Sequence, residues 1–250
     1  MHQFFVEKSQ VGKEYVTITG SDVNHIRNVL RMKIGEMIRI SDRGGGNYFC
    51  KIAETGENFV QADIVSVDEE GTELPSKIYL FQALPKGDRM ETVIEKAVEL
   101  GVYEIIPVAM KYCVVKLDGK KAAQRVQKWQ AQAETAAKQS KRSIIPKIHE
   151  VVSFKEALKL AENCDIRLVP YENENGMEGT RTVLEQIEPG KSISIMIGPE
   201  GGFAEEEIAK ARETMQSISL GRRILRTDTA GICMMSMLML QLESRIERKI

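Results

Sequence analysis

The sequence is poor in the residues that mark several classes of protein. Its four cysteines, among 250 residues, form no C-x-x-C pair. This spacing argues against a zinc site or a disulfide framework and favours buried thiols in a reducing compartment. The most apolar window, residues 230–242, is too short to span a bilayer. We therefore expect a cytoplasmic protein with no metal and no membrane partner.

Two nucleotide-binding fingerprints are also missing. No G-x-G-x-x-G follows an early strand, and no G-x-x-x-x-G-K-[ST] occurs anywhere. The formal net charge of −1 gives no indication of a nucleic-acid partner. Residues 111–147, however, contain ten basic and two acidic side chains together with the one tryptophan, Trp129. Such a block is either a solvated helix face or a surface that follows a phosphate backbone. Both interpretations stay open on composition alone.

The hydrophobic pattern divides the chain into two parts. Residues 1–72 contain alternating segments such as "EYVTIT" and "NFVQADIVSV", which are typical of half-buried strands, and "MIRISDRGGGNYFCKI", which predicts a glycine-rich hairpin. A short helix is expected between Asp22 and Met32, with Ser21 or Asp22 as its cap. This part is predicted to be a small, barrel-like β domain. The segment "EEGTELPS" has the composition of a linker.

From residue 73 to residue 250, strand patterns alternate with helix patterns. This order predicts an α/β domain with a mainly parallel sheet. One helix should start with a capping box of Asp88 and Glu91 and end at Gly101. The last helix is apolar on nearly every face between Ile232 and Leu240. It is either a central core helix or a helix with one side packed on a second subunit. We favour a homodimer.

Three predicted strand ends carry unusual residues: "LVPYENENG", "IMIGPEGGF" and "SLGRRILRTDTAG". Ligands bind at the carboxyl ends of strands in parallel sheets, and glycines let the backbone approach a flat ligand closely. A carboxylate at Glu200 suits a cation or hydrogen-bond donors better than a phosphate. Alone, GPEGG would be a tight strand-to-helix turn, but three such loops favour a ligand site. The apolar walls suited to an adenine ring would be Ile197, Leu220, Ile224 and Leu225.

These motifs resemble those of the SPOUT, or α/β-knot, methyltransferases. The pair "IMIGPEGGF" and "LGRRILRTDTA" is similar to that of the family that methylates N3 of a uridine in bacterial small-subunit (16S) ribosomal RNA. The segments "HIRNVLRMKIGE", "LPKGDRMETVIEKAVELGV", "CVVK" and "KQSKRSIIP" agree, in the family's order. The resemblance covers about residues 25–230. Asp228, Arg222, Lys138 and Lys141 depart from the common pattern, with Lys141 standing where the family often has glycine.

The resemblance implies an N-terminal PUA-like, RNA-binding β-barrel over residues 1–72 and a trefoil-knotted methyltransferase domain over residues 73–250. It implies S-adenosylmethionine as cofactor, a homodimer, and ribosomal RNA or the assembled small subunit as partner. The expected cofactor-binding residues are Val169, Tyr171, Ile197, Gly198, Glu200, Gly201, Gly202, Leu220, Gly221, Ile224 and Leu225.

The chemistry of uridine N3 suggests which residues would be catalytic. Losing the N3 proton spreads negative charge onto O2 and O4, which a nearby arginine would stabilise. Arg226 is predicted to do this, although a salt bridge with Asp228 or Glu200 is the alternative. Glu200 could take the proton or line the pocket, and we favour the pocket.

The predicted RNA contacts lie in both halves of the sequence. Arg27 and Arg31 could form a phosphate-binding stripe, and His25 could be a capping residue or an RNA contact. Gln139 and Arg142 are expected to reach the substrate because their segment matches the family motif. Two alternative functions remain: a protein of this fold that binds RNA or the ribosome without catalysis, and a nucleotide-dependent enzyme that uses the same edge of the sheet.

Overall fold

The computed structural model describes residues 1–117, 119–174 and 176–246. They form two compact units. The first unit contains Met1–Glu73 together with Ala137–Ile145, and the second contains Leu74–Ala136 together with Pro146–Ile250. The short segment 137–145 therefore packs with residues far from it in sequence.

The first unit is built on a five-stranded sheet in the order β1-β3-β4-β5-β2. β1 runs parallel to β3, and the other pairs are antiparallel. Alternate residues such as Val16, Ile18 and Val60 are buried in its core, as expected for strands with one covered face. The predicted small β domain is confirmed as an open, half-barrel sheet with β1 and β2 at its edges. Its strands are β1 (His2–Phe5), β2 (Tyr15–Thr19), β3 (Met37–Ser41), β4 (Asn47–Thr55) and β5 (Phe59–Val67).

The glycine-rich hairpin between β3 and β4 is confirmed. Asp42 Oδ1 accepts hydrogen bonds from the backbone N–H groups of Gly44 and Gly46 at 2.9 and 2.8 Å. Gly45 has a φ of 101°, a conformation that a side chain would strain. β1 was not among the strands that the sequence patterns predicted. The strand forms because Phe4 and Phe5 bury their rings.

The predicted helix between residues 22 and 32 is shorter and less regular than expected. It consists of α1 (Ser21–Asn24) followed by a π-helical turn, His25–Val29. The predicted cap is wrong, because the N-cap residue is Gly20 and no side chain caps the helix. Arg31 follows the turn with a φ of 54°, in the left-handed region that a non-glycine residue rarely adopts.

The second unit contains a sheet in which every strand pair is parallel, in the order β12-β10-β11-β6-β7-β8, with β9 also paired to β7. The central strands β6, β7 and β11 are buried along most of their length, as is usual for strands of a parallel sheet. This confirms the predicted mainly parallel sheet. The strands are β6 (Lys77–Ala83), β7 (Glu104–Ala109), β8 (Lys147–Ile148), β9 (Val152–Ser153), β10 (Ile166–Pro170), β11 (Ser192–Ile197) and β12 (Gln216–Ile218).

The helices of the second unit include two that were not predicted, α4 and α5. α4 has a capping box of Ser153 and Glu156, whereas the predicted box at Asp88 is wrong because that side chain makes no capping hydrogen bond. Gly101 ends α2 with a φ of 89°, as predicted. The helices are α2 (Arg89–Glu99), α3 (Gly119–Ser140), α4 (Phe154–Ala161), α5 (Glu178–Glu185), α6 (Glu205–Arg212) and α7 (Thr227–Glu243).

The last helix, α7, has two different sides. Met234, Met235 and Leu238 are fully buried, whereas Leu240 is 69% exposed and Met237 is half-buried. Neither a wholly buried core helix nor an ordinary surface helix has this distribution. An apolar side remains on the surface of the chain.

Candidate active site

Three neighbouring strands, β11, β10 and β12, end at one edge of the parallel sheet. The loops that follow them enclose a cavity of about 430 Å³. Residues 198–202 line one wall and residues from 220 to 226 line another, so these two glycine-containing loops border the same cavity. The lining residues are Pro170, Tyr171, Glu172, Ile197, Gly198, Pro199, Glu200, Gly201, Gly202, Phe203, Leu220, Gly221, Arg223, Ile224, Leu225, Arg226, Thr227 and Ala230.

The structure brings together all but one of the residues predicted to hold the cofactor. The exception is Val169, which is fully buried within β10 and does not line the cavity. Among the lining residues that sequence reasoning did not select, Glu172 and Arg223 carry charge and Thr227 a hydroxyl group. Glu172 directly follows the predicted Tyr171, so an acidic residue next to a predicted binding residue is the signal in the sequence that indicates it.

The glycines of the GPEGG loop are required by close packing. A Cβ atom at Gly198 would lie 2.9 Å from the Phe203 ring, and one at Gly201 would lie 3.0 Å from the Cβ atom of Tyr112. Gly202 has a φ of 72°. Any side chain here would displace the loop, so the backbone itself forms the cavity wall.

Glu200 fixes this loop to the start of α2. Its Oε1 atom accepts hydrogen bonds from the Lys86 backbone N–H at 2.9 Å and from Arg89 Nη1 at 2.8 Å. Burial alone would raise the pKa of Glu200, but the Lys86 hydrogen bond and the Arg89 charge outweigh it and lower that pKa. A carboxylate that holds its charge this firmly is a weak base. The arrangement favours the pocket role over proton abstraction.

A second connection runs from the sheet to the start of α7. Gln82, fully buried at the end of β6, donates from Nε2 to Thr227 Oγ1 at 2.9 Å. The Thr227 hydroxyl in turn donates to the carbonyl oxygen of Gly198 at 2.6 Å. One buried hydroxyl therefore holds the GPEGG loop and the first turn of α7 together. Sequence reasoning missed this link because its two ends are 145 residues apart.

Arg226 immediately precedes this link, as the N-cap residue of α7. Its side chain is exposed and lines the cavity. Within the described ranges no carboxylate oxygen lies within 4.0 Å of it, so the alternative salt bridge with Asp228 or Glu200 is not formed. The guanidinium is available to a ligand in the cavity.

The predicted RNA contacts fall into two groups. His25, Arg27, Arg31 and Gln139 are exposed in the first unit, and Arg27 Nη1 donates to the Glu57 carbonyl oxygen at 3.0 Å. Arg142 is different, because its side chain is only 3% exposed. Its Nε atom lies 2.9 Å from both carboxylate oxygens of Glu73. This burial argues against the RNA contact predicted for Arg142.

The basic block of residues 111–147 is only partly a free surface. Trp129 is 3% exposed, so its ring belongs to the core and cannot stack on a base. Lys128 and Arg125 both lie near Glu91 Oε1, at 2.9 and 3.6 Å. These ion pairs reduce the charge that the block offers to a polyanion.

Two kinds of feature are absent from residues 1–117, 119–174 and 176–246. No group of three or more histidine, cysteine or acidic side chains is placed to hold a metal ion. No helix in these ranges combines the length and the apolar character needed to cross a membrane.

Comparison with known families decides the relationship. The sequence model of the RNA methyltransferase domain matches residues 72–239, and that of the RNA methyltransferase PUA domain matches residues 18–65. The chain is a member of the RNA methyltransferase family. Its relatives include the ribosomal RNA small subunit methyltransferase E of Bacillus subtilis, which is 35% identical over 97% of this chain and 98% of the relative. The enzyme of the same name from Mesomycoplasma hyopneumoniae is 32% identical over 94% and 98%.

Solved structures of the family agree with this relationship. A ribosomal RNA small subunit methyltransferase E from Neisseria gonorrhoeae, bound to S-adenosyl methionine, has a TM-score of 0.81 and 32% identity, covering 94% of this chain and 95% of the other. A methyltransferase from Legionella pneumophila in complex with the same cofactor has a TM-score of 0.81 and 30% identity, covering 94% and 96%. The expected PUA-like unit and parallel α/β unit are those of the family.

Proposed function

We propose that this methyltransferase transfers a methyl group from S-adenosylmethionine to N3 of a uridine in small-subunit ribosomal RNA. The observation that carries the proposal is the cavity formed by the loops after β10, β11 and β12, of which the last two contribute glycines to its wall. It is supported by the relatives named for small-subunit ribosomal RNA and by the related structures that bind the cofactor. The alternative of a non-catalytic RNA-binding protein has no observation in its favour.

The residues of the cavity fit S-adenosylmethionine. Backbone groups of the GPEGG and Gly221 loops can hydrogen-bond an adenine edge, while Ile197, Leu220 and Leu225 provide apolar walls. When bound, the cofactor supplies a methyl group on a positively charged sulfur. The remaining cofactor-binding residues of the proposal are Tyr171, Gly198, Glu200, Gly201, Gly202 and Ile224, with Glu200 fixing the loop.

The chain contributes positioning and charge to the transfer. Arg226, at the cavity wall with no carboxylate partner in the described ranges, would donate hydrogen bonds to O2 or O4 of the uracil ring. Those bonds would stabilise the negative charge that remains when N3 loses its proton to solvent water. The cavity loops would hold S-adenosylmethionine with its methyl group towards N3, so that the new carbon–nitrogen bond forms as the carbon–sulfur bond breaks and its electrons stay on sulfur.

The test is a methyl-transfer assay on small ribosomal subunits from a strain that lacks the protein. Arg226→Ala should lower the rate about 10²–10³-fold, as for the loss of one donor to a developing oxyanion, with little change in cofactor affinity. Arg222→Ala is the matched control, because Arg222 is exposed in the same loop but does not line the cavity. Equal rates for the two variants would contradict the role of Arg226.

The position of the methyl group can be read independently. N3 methylation blocks Watson–Crick pairing and therefore stops reverse transcription at one nucleotide. Ribosomal RNA from the deletion strain should lose a single stop, which the wild-type gene restores. If every stop persists in the deletion strain, the proposed target is wrong.

The proposal divides the work between two domains. Residues 1–72 would form the RNA-binding domain, with His25, Arg27 and Arg31 on its surface and with Gln139 in the segment 137–145 that belongs to the same compact unit. Residues 73–250 would form the catalytic, knotted domain. Replacing Arg27 and Arg31 with uncharged residues should weaken RNA binding and make the RNA affinity less dependent on salt concentration. This result would support the division. Unchanged RNA affinity would contradict it.

We also propose that the enzyme is a cytoplasmic homodimer. The support is the apolar side of α7 that remains exposed, including Leu240 at 69%, and the free cysteines, three of which are buried. A second α7 would cover such a side well, with methionines filling the irregular contact. Sedimentation equilibrium tests the dimer, and a mass equal to one chain would contradict it.

A further inference from the structure

Two carboxylates, those of Glu200 and Glu172, line the cavity. Among the described residues, only the first has hydrogen-bond partners. Glu200 is held by Arg89 and by the Lys86 backbone. Glu172 has no hydrogen bond and no ion pair from its carboxylate within the part of the chain that the structure describes. Glu172 therefore places one negative charge, with no direct partner among the described residues, on the wall of a cavity that Arg223 and Arg226 also line.

Three described neighbours of Glu172 in the same loop, Tyr171, Asn173 and Glu174, make contacts of their own. The Arg212 guanidinium lies 4.9 Å from the centre of the Tyr171 ring and also forms an ion pair with Glu174. Asn173 Nδ2 donates to the Tyr171 hydroxyl at 2.8 Å. These contacts fix the loop on both sides of Glu172 and use the nearby cation for Glu174. No charge in this loop remains to neutralise Glu172.

The opposite loop leaves room for the Glu172 carboxylate. A Cβ atom at Gly202 would lie 2.9 Å from Glu172 Oε1. Gly202 also has a left-handed φ of 72°, which favours glycine. The close approach places the Glu172 carboxylate beside the backbone that forms the cofactor cavity.

We propose that Glu172 makes the site prefer the methylated, cationic cofactor over its demethylated product. The inference rests on the proposed use of S-adenosylmethionine. That cofactor carries a positive sulfonium, whereas S-adenosylhomocysteine has a neutral thioether and otherwise the same atoms. A carboxylate on the cavity wall attracts the extra charge by Coulomb's law and has no such attraction for the product. Glu172 is thus a specificity residue that favours loading of the donor and release of the product.

The test measures the affinity of both ligands by calorimetry for the wild type and for Glu172→Gln, which keeps the size of the side chain and removes its charge. The variant should lose roughly 3–10-fold in affinity for S-adenosylmethionine, the range of one partly screened charge pair. Its affinity for S-adenosylhomocysteine should change less than about 2-fold. The preference of the wild type should also weaken as salt rises from about 0.05 to 0.5 M.

Glu174→Gln is the matched control, because Glu174 lies in the same loop, pairs with Arg212 and does not line the cavity. It should leave the ratio of the two affinities unchanged. The melting temperature without ligand checks that each variant is folded.

Two results would overturn the inference. If Glu172→Gln lost equal affinity for both ligands, Glu172 would contact the adenosine or amino-acid part that they share. If it lost affinity for neither, Glu172 would take no part in binding them. If the wild type bound neither ligand, the proposed cofactor itself would be wrong, which is a different result from either of these.

Discussion

Two arginines were predicted to be functional, Arg142 just after α3 and Arg226 just before α7. The first is buried and the second is exposed. Arg142 is buried against Glu73, whose carboxylate also accepts the backbone N–H of Ser143 at 2.7 Å. Arg226 is exposed on the wall of a cavity and has no carboxylate partner in the described ranges. A motif match therefore identifies residues that matter without saying whether they hold the fold or meet the ligand.

Replacing Arg142 should give the largest effect on stability. Arg142→Ala leaves the Glu73 carboxylate without its cation, and breaking a buried ion pair costs about 3–5 kcal/mol. Because Glu73 is 28% exposed, we expect about 3 kcal/mol from urea unfolding followed by circular dichroism. Arg43→Ala, which breaks an exposed pair with Glu7, should cost less than about 1 kcal/mol. An Arg142 variant of full stability that fails to bind RNA would reverse the comparison.

A smaller effect is expected from the link beside Arg226. Thr227→Val removes the hydroxyl that joins Gln82 to the Gly198 carbonyl and leaves both groups buried without this partner. The expected cost is about 1–3 kcal/mol, with weaker cofactor binding because the GPEGG loop is released. Thr227→Ser keeps the hydroxyl and should restore cofactor affinity in the same calorimetric measurement. If valine and serine behave alike, the link does not position the loop.

The smallest effect concerns the left-handed residue that ends α3. Lys141 has a φ of 62°, which is strained for any residue with a side chain. Lys141→Gly relieves that strain but adds chain entropy in the unfolded state. It also loses the hydrogen bond from Lys141 Nζ to the Met1 carbonyl oxygen. We expect a net gain of about 0.5 kcal/mol in the free energy of unfolding.

Ala131→Gly, on the exposed side of the same helix, is the matched control for Lys141→Gly. Glycine in a helix interior costs about 1 kcal/mol relative to alanine, so the two glycine variants should differ in sign. A loss of stability in both would mean that the Lys141 side chain contributes more than its strain costs.

The parts of this protein that depend on local pattern were predictable. Alternating strands such as β2 and β5, the continuous apolar strands β6 and β11, and the glycine-rich loops all follow from residues close together in sequence. The short helices α4 and α5 were missed because eight residues each give little periodicity. β1 was missed because four residues at a terminus resemble a frayed end.

The roles that depend on distant partners could not be predicted. Glu73 lies in a segment with the composition of a linker, 69 residues from Arg142, so nothing local indicated a buried ion pair. The partner of Thr227 lies on another strand, and the unpaired state of Glu172 is visible only after its neighbours have been placed. The position of the cavity could be predicted from the loops. The separate roles of the residues that line it could not.

The strand β12 has a consequence for how this enzyme family can diversify. It is three residues long, lies at the edge of the sheet and, among the described residues, pairs with β10 alone. The segment after it carries Arg226 and also lines the cofactor cavity through Leu220 and Gly221. Substitutions of exposed side chains in this segment can change the RNA contact, whereas insertions would also move the cofactor wall, so we expect the family to diversify here by substitution rather than by a change of length.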